Sequence, residues 1–249
     1  MSGTEPANGI LSADSCIIVS DTHFEEHGTA DGRLNLLTEA ARMEKCPLFF
    51  LGDLVNLWFE SHRLAAQYRD IFRQLKDFTD QGGKGFFIPG NRDFLAGRIL
   101  HERTGLTVLP EITDISIGST LYRLLHGDQI FLGDRNYRIY RMLVRAAPIR
   151  SMLRIAPDFL LRGIAGILKR EPDIPPEEKE ILLDRKRFIK HVYSEDISCY
   201  ICGHIHRHTE VTEDIDGHTV TVQALDSWIH EPEYLLINKG GIRVSVLEE

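Results

Sequence analysis

The 249-residue chain predicts an α/β fold, on three observations. Through Leu125, short apolar runs alternate with stretches of helical spacing, the pattern of a largely parallel sheet covered by helices. From His218 onward, His218–Ala224, Tyr234–Ile237 and Ile242–Leu247 are separated only by turns and read as an antiparallel edge. Between these parts, residues 131–194 break the alternation with proline-split helical stretches, which marks an insertion.

Taken in order, residues 1–14 are polar, lack the apolar stretch of a secretory leader and read as a mobile tail. Cys16–Ser20 is the first predicted strand, followed by a loop rich in Glu, Gly and His. Gly32–Lys45 repeats Leu34, Leu37 and either Ala40 or Ala41 at helical spacing. Pro47 and Gly52 bound the aromatic strand Leu48–Leu51. Leu64–Asp80 carries Tyr68, Ile71, Phe72, Leu75 and Phe78 on one face and predicts an amphipathic helix ended by Gly82-Gly83. Strand Gly85–Ile88, a helical stretch Phe94–Arg103 closed by Gly105, and strands Thr107–Leu109, Ile112–Ile117 and Leu121–Leu125 complete the first part. Residues 15–130 and 195–249 therefore form one core, interrupted by 131–194.

Hydrophobic content of 43% and charged content of 27% suit a globule with a substantial core. No apolar run approaches the roughly 20 residues of a spanning helix. The net charge of −8 argues against nucleic-acid binding by the chain as a whole. Its distribution is uneven. Residues 135–170 hold nine basic residues, from Arg135 to Arg170, against the single acid Asp158. A solvated face mixes both signs. This excess, interleaved with Tyr140, Leu143, Leu161, Ile164 and Leu168, points to an anionic, lipidic partner. Cys199-x-x-Cys202 has the spacing of a zinc or redox pair. Within a strand, however, those positions face opposite ways, and no second pair completes a site. The four cysteines read as buried thiols in a reducing, cytosolic compartment.

Five apolar runs end by presenting metal-binding side chains: Asp21 and His23, Asp53, Asn91, His126, and His204 with His206. A lone histidine is usually solvated, and Gly-Asp usually marks a turn. Five coincidences at strand ends point instead to a two-metal hydrolytic site. Asp53 is the candidate bridge. Asp21 and His23, like His204 and His206, are two apart and would project the same way from an extended strand end. Such a pair of cations, roughly 3.5–4 Å apart, supplies both nucleophile and charge neutralisation, so no side-chain nucleophile is needed. His27 lies in the first loop, where it can approach this site.

Asp-x-His, Gly-Asp, Gly-Asn-x-Asp, His and Gly-His-x-His, in this order, resemble the calcineurin-like metallophosphoesterases. The resemblance implies a four-layer α/β/β/α sandwich with an inserted helical cap. It also implies one metal on Asp21, His23, Asp53 and His206 and a second on Asp53, Asn91, His126 and His204. Most of that family has His after Gly-Asn. Arg92 stands there instead, suited to fork onto phosphate oxygens but not to donate a proton. The leaving group must then be good on its own, such as a phosphate.

Within the family, Gly90-Asn91-Arg92-Asp93-Phe94-Leu95, Leu109-Pro110, His126-Gly127-Asp128 with Tyr137 beyond it, and the arginine-rich insertion resemble the UDP-2,3-diacylglucosamine pyrophosphatases of lipid A synthesis. This implies a lipid-linked nucleotide-sugar substrate, two divalent metals (manganese, with iron or zinc as alternatives), and a cap on the anionic cytoplasmic face of the inner membrane. Asn91, Arg92 and His126 become the candidate catalytic residues, and Arg92, Tyr137, Lys169 and His204 the candidate substrate contacts. The segment Glu171-Pro172-Asp173-Ile174-Pro175 and Leu225-Asp226-Ser227-Trp228 depart from that group's pattern, and the acidic pair it often has soon after Gly-Asp is missing. The competing expectations are a soluble phosphodiesterase or nucleotidase and a non-catalytic scaffold of the same fold. No nucleic-acid partner is expected, and the sequence leaves the oligomeric state open.

Overall fold

The computed structural model describes residues 10–25, 31–131, 183–229 and 231–247, together with 148, 152, 153, 156, 157 and 160. His27, Tyr137, Lys169 and the expected cap helices lie outside the described residues.

Two six-stranded sheets face each other. In one, β2 (Ser15–Val19), β3 (Leu48–Leu51), β4 (Gly85–Ile88) and β5 (Thr107–Val108) run parallel. Strands β11 (Glu233–Asn238) and β12 (Gly241–Val246) extend it as an antiparallel edge. His218–Ala224, expected in the same edge, lies instead in the other sheet, parallel to Cys199–Cys202, because Val220 and Val222 pack in the outer core there. In the other sheet the order is β1 (Leu11–Ala13), β6 (Ile112–Ile117), β7 (Thr120–Leu125), β8 (Cys199–Cys202), β10 (His218–Ala224) and β9 (Thr209–Ile215).

Alternation along the strands divides the core into layers. Cys16, Ile18, Phe49, Leu51, Phe86 and Ile88 meet Ile115, Ile117, Tyr122, Leu124 and Ile201 between the sheets. The opposite face of the parallel sheet presents Ile17, Val19, Leu48, Phe50 and Phe87 to α1 (Gly32–Met43), α3 (Arg69–Asp80) and α4 (Arg98–Thr104). The outer face of the second sheet packs Tyr200, Cys202 and Val222 under Phe188 and Val192, from and just after the C-terminal helix Arg185–His191. The result is the α/β/β/α layering. Each fully buried Phe or Ile contributes roughly 1.5–3 kcal/mol, and these three clusters hold dozens of such groups.

Local chemistry sets the helix limits. Asp31 caps α1 by accepting the N–H groups of Arg33 and Leu34. Gly105 closes α4 at φ 72°, where a side chain would be strained. The helix expected over 64–80 is divided: α2 (His62–Ala65) gives way to a 3₁₀ turn at Ala66–Tyr68 before α3. The Tyr68 hydroxyl donates to the Leu57 carbonyl at 3.0 Å, anchoring that turn.

Two further boundaries differ from expectation. Leu11–Ala13 is not part of a tail but pairs in parallel with β6, because Leu11 and Ala13 can pack against the core between the sheets. The insertion, drawn to 194, ends sooner: Phe131 pairs with Leu183, and the next helix (α5, Arg185–His191) contributes Phe188 to the outer core. Cys199 and Cys202 serve opposite faces of β8, one against each apolar layer, as the strand reading requires. Among the described residues all four cysteines are free.

Candidate metal centre

The parallel strands β2, β3 and β4 end side by side, as does β7 beside β8 in the second sheet, and the segments following their C-terminal ends converge. The convergence does not arise from an extended backbone. Asp21, His23, Asp53, His204 and His206 all lie beyond their strands with φ between 47° and 73°. This left-handed region is costly for residues other than glycine and marks functional sites when surrounding structure enforces it. The expected shared direction of Asp21 and His23 is thus achieved by a coil, not by the pleat.

Glycines let these segments touch. Gly52 and Gly90 approach backbone to backbone: a Cβ on Gly52 would stand 2.5 Å from the Gly90 Cα and 2.6 Å from His126 Nδ1. A Cβ on Gly203 would strike the side chains of Ser20 and Asp21.

The donor atoms then gather on two sides of Asp53. On one side, Asp21 Oδ1 lies 3.7 Å from His23 Nε2 and 3.2 Å from His206 Nε2. The two imidazole nitrogens face each other at 3.1 Å, and Asp53 Oδ2 is 4.0 Å from His23 Nε2. On the other side, Asp53 Oδ1 is 3.7 Å from His126 Nε2. Asn91 Oδ1 sits 2.8 Å from His126 Nε2 and 3.0 Å from His204 Nδ1.

Neighbouring groups orient these donors. His126 Nδ1 donates to the Leu51 carbonyl at 2.7 Å, which turns Nε2 toward the site. Asp21 Oδ2 accepts the His204 N–H at 2.8 Å and lies 2.6 Å from Ser20 Oγ. Its Oδ1 is buried and accepts no hydrogen bond of good geometry. Imidazole nitrogens and an amide oxygen crowded within about 3 Å of one another, beside a buried carboxylate oxygen lacking a hydrogen bond, fit cations at both positions. The set contains carboxylate, imidazole and amide oxygen but no thiolate, which suits intermediate divalent metals.

The electrostatics agree. Burial alone would raise the Asp21 carboxyl, but the imidazoles of His126, His206 and His23 hold it well below its usual range. Burial depresses His126, yet Asp53 and Asp21 outweigh it and push the imidazole up to about 9. Burial and the neighbouring His126 drive His204 down to about 3, leaving a neutral ligand. Asp93 is pushed up by burial and by Asp53. It accepts the Gly90 and Leu54 N–H groups at 2.7 and 2.8 Å and thereby joins the loops after β3 and β4. A buried centre crowded with carboxylates gains most from added positive charge.

Sequence analysis singled out Asp21, His23, Asp53, Asn91, His126, His204 and His206, and the fold brings all seven together. The Arg92 guanidinium stands at the rim, 27% exposed, with Nε 3.8 Å from Asp53 Oδ2, and the Arg92 backbone N–H donates to Asp53 Oδ1 at 2.9 Å. Ser20 and the Asp226-Ser227-Trp228 segment were missed as supports. The Ser227 hydroxyl and Trp228 N–H both donate to the Asp21 carbonyl, at 3.1 and 3.2 Å. Nothing in the local sequence distinguishes such supports from ordinary turn residues.

The calcineurin-like phosphoesterase family model matches residues 15–208. The chain belongs to this family. A protein of Vibrio parahaemolyticus named UDP-2,3-diacylglucosamine hydrolase is 30% identical over 212 residues, which cover 83% of this chain and 86% of that one. One of the same name from Pseudomonas aeruginosa is 28% identical over 243 residues, covering 92% of this chain and 97% of that one. The match gives a calcineurin-like phosphoesterase its expected form: a hydrolase with divalent-metal chemistry at the ends of a two-sheet sandwich. Among the described residues, no helix is long and apolar enough to cross a membrane.

Proposed function

We propose that this calcineurin-like phosphoesterase cleaves the pyrophosphate of a lipid-linked nucleotide sugar, UDP-2,3-diacylglucosamine, releasing UMP and the diacylated sugar phosphate. The observation that carries the chemistry is the convergence of seven donors on two sides of Asp53 with an arginine at the rim. The substrate class is supported by the relatives' printed activity, which spans most of this chain and most of theirs.

The residues divide the work as follows. Asp21, His23, His206 and Asp53 would hold one cation, and Asp53, Asn91, His126 and His204 the other; manganese is the expected metal, with iron or zinc as alternatives. Bound there, two divalent cations lower the pKa of water and neutralise charge on the phosphoryl oxygens. The Arg92 guanidinium is placed to fork onto the phosphate that leaves. It cannot supply a proton at neutral pH, so a leaving phosphate, stable as an anion, suits this site better than an alkoxide. Arg92→Ala is expected to lower kcat/KM on the order of 10²–10³, the scale for losing one charge-stabilising donor, while metal content stays at the wild-type level. Unchanged kinetics would remove Arg92 from the reaction.

Residues 132–182 are proposed to cap the site, with Tyr137 and Lys169 toward substrate. The nine bases of residues 135–170 support docking on an anionic membrane, where each contributes about 1 kcal/mol near the surface. The deciding experiment compares UDP-2,3-diacylglucosamine with UDP-glucosamine, with added manganese, and measures sedimentation with phosphatidylglycerol vesicles at low and high salt. Strong preference for the acylated substrate and salt-sensitive vesicle binding are expected. Equal turnover of both substrates without vesicle binding would favour a soluble phosphodiesterase. Metal binding without hydrolysis of either substrate or of a generic aryl phosphodiester would favour a scaffold.

A further inference from the structure

Glu233 opens β11, outside every ligand motif, and its carboxylate is buried, 4% exposed. A carboxylate is withdrawn from water at considerable cost unless partners satisfy it. Its Oε1 meets His208 Nδ1 at 3.0 Å and accepts the Asp226 N–H at 3.2 Å. Its backbone carbonyl accepts the Trp228 indole N–H at 2.9 Å.

Both partners lead to the metal centre. His208 ends the short loop that carries His204 and His206. Asp226 begins the segment whose Ser227 hydroxyl and Trp228 N–H hold the Asp21 carbonyl. Asp21 and His206 stand at φ 50° and 53°, a conformation their own backbones do not favour. Something beyond local preference must hold them 3.2 Å apart. One side chain on β11 ties down the segments on both sides of that contact.

We propose that Glu233 is the positioning residue for the Asp21–His23–His206 half of the centre and sets the cation affinity there. This rests on the metal-binding reading above, but it concerns a residue that no ligand motif contains. Outer partners of metal ligands typically change affinity 10–100-fold when removed.

The test is a calorimetric titration of the full chain, freed of metal by a chelator, with Mn²⁺, alongside the Mn²⁺ paramagnetic resonance spectrum. Wild type is expected to take two cations. Glu233→Ala is expected to weaken one of the two sites about 10–100-fold. Glu233→Gln keeps an oxygen acceptor for both N–H groups and is expected to restore most of that affinity. Phe188→Leu, in the outer core, should lower Tm without changing either affinity. His208→Ala is expected to weaken the same site as Glu233→Ala, and the double variant to be no weaker than Glu233→Ala alone.

A Glu233→Ala protein with reduced Tm but two wild-type affinities would reduce Glu233 to a folding residue and overturn the proposal. If that variant does not fold, His208→Ala carries the test from the exposed side of the pair, and unchanged affinity there overturns it equally. A wild type that takes up no Mn²⁺ would overturn the metal reading itself and this inference with it.

Discussion

Asp53→Ala is expected to remove both cations and all turnover while leaving the cation-free fold as stable as the cation-free wild type. In the proposed ligand sets Asp53 is the residue common to both cations, with Oδ1 toward His126 and Oδ2 toward His23. Removing it takes one ligand from each cation and the shared anion from both. The stability expectation follows from crowding. Asp21, Asp53 and Asp93 are all buried, and Asp53 is one of the groups that push the Asp93 carboxyl up. Without cations Asp53 repels the Asp93 carboxyl but attracts the His126 imidazole and accepts the Arg92 backbone N–H, so its deletion removes terms of opposite sign that offset one another. With cations the order reverses. A protein at 100 times its dissociation constant gains about 2.7 kcal/mol from the ligand, which the variant cannot gain. Elemental analysis, with melting curves in Mn²⁺ and in chelator, reads both effects. An Asp53→Ala protein that retains two cations, or that melts far below wild type in chelator, would contradict this account.

Gly90→Ala is expected to damage the centre nearly as severely, although Gly90 supplies no ligand atom. A Cβ there would lie 2.6 Å from the Asp53 nitrogen and 3.0 Å from the Gly52 Cα, and would press on Asp53 Oδ1. Most of these are backbone atoms, so no rotamer change relieves the clash. Overpacking of this kind costs about 1–3 kcal/mol. Here the strain falls on the bridging carboxylate, so metal content should drop along with Tm. Gly32→Ala is the control: at the start of α1 a Cβ meets nothing within 4 Å. If Gly90→Ala kept both cations and a wild-type Tm, the close approach of the loops after β3 and β4 would not be what shapes the site.

The ligand residues were legible because each follows an apolar run that could only be a buried strand. In a parallel sheet, strand ends fall on one edge. Periodicity therefore groups Asp21, His23, Asp53 and Asn91 at the edge of one sheet and His126, His204 and His206 at that of the other; that the two groups meet comes from the packing of the sheets. Their geometry was not legible. Left-handed backbone at Asp21, His23, Asp53, His204 and His206 comes from contacts made across the fold, and no local propensity announces it. Strand β9 was missed because Thr209–Ile215 alternates exposed acids with few apolar residues, the composition of a protected edge. Strand β1 was missed because three residues carry too little periodicity to register. Ser20, Ser227 and Glu233 stayed hidden for a related reason: their bonds to the site's supports depend on turns and strand ends meeting in space, which no local pattern announces. Ser227, for instance, binds a carbonyl 206 residues earlier.

The pairing of Phe131 with Leu183, reinforced by the Asp184 N–H donating to the Ile130 carbonyl at 2.7 Å, has a consequence for how such a chain can be edited. The polypeptide leaves the sandwich and re-enters it at one point. Joining the two ends demands little from the remainder, because closing a long loop costs only about 0.6 kcal/mol more than closing one half its length. The sandwich is thus a socket with a standard fitting. A few-residue turn between Phe131 and Leu183 should give a minimal phosphoesterase that still loads its cations. The proposed cap could be replaced at the same junction by the corresponding segment of a relative, which tests its part in lipid affinity while the hydrolytic centre is held constant.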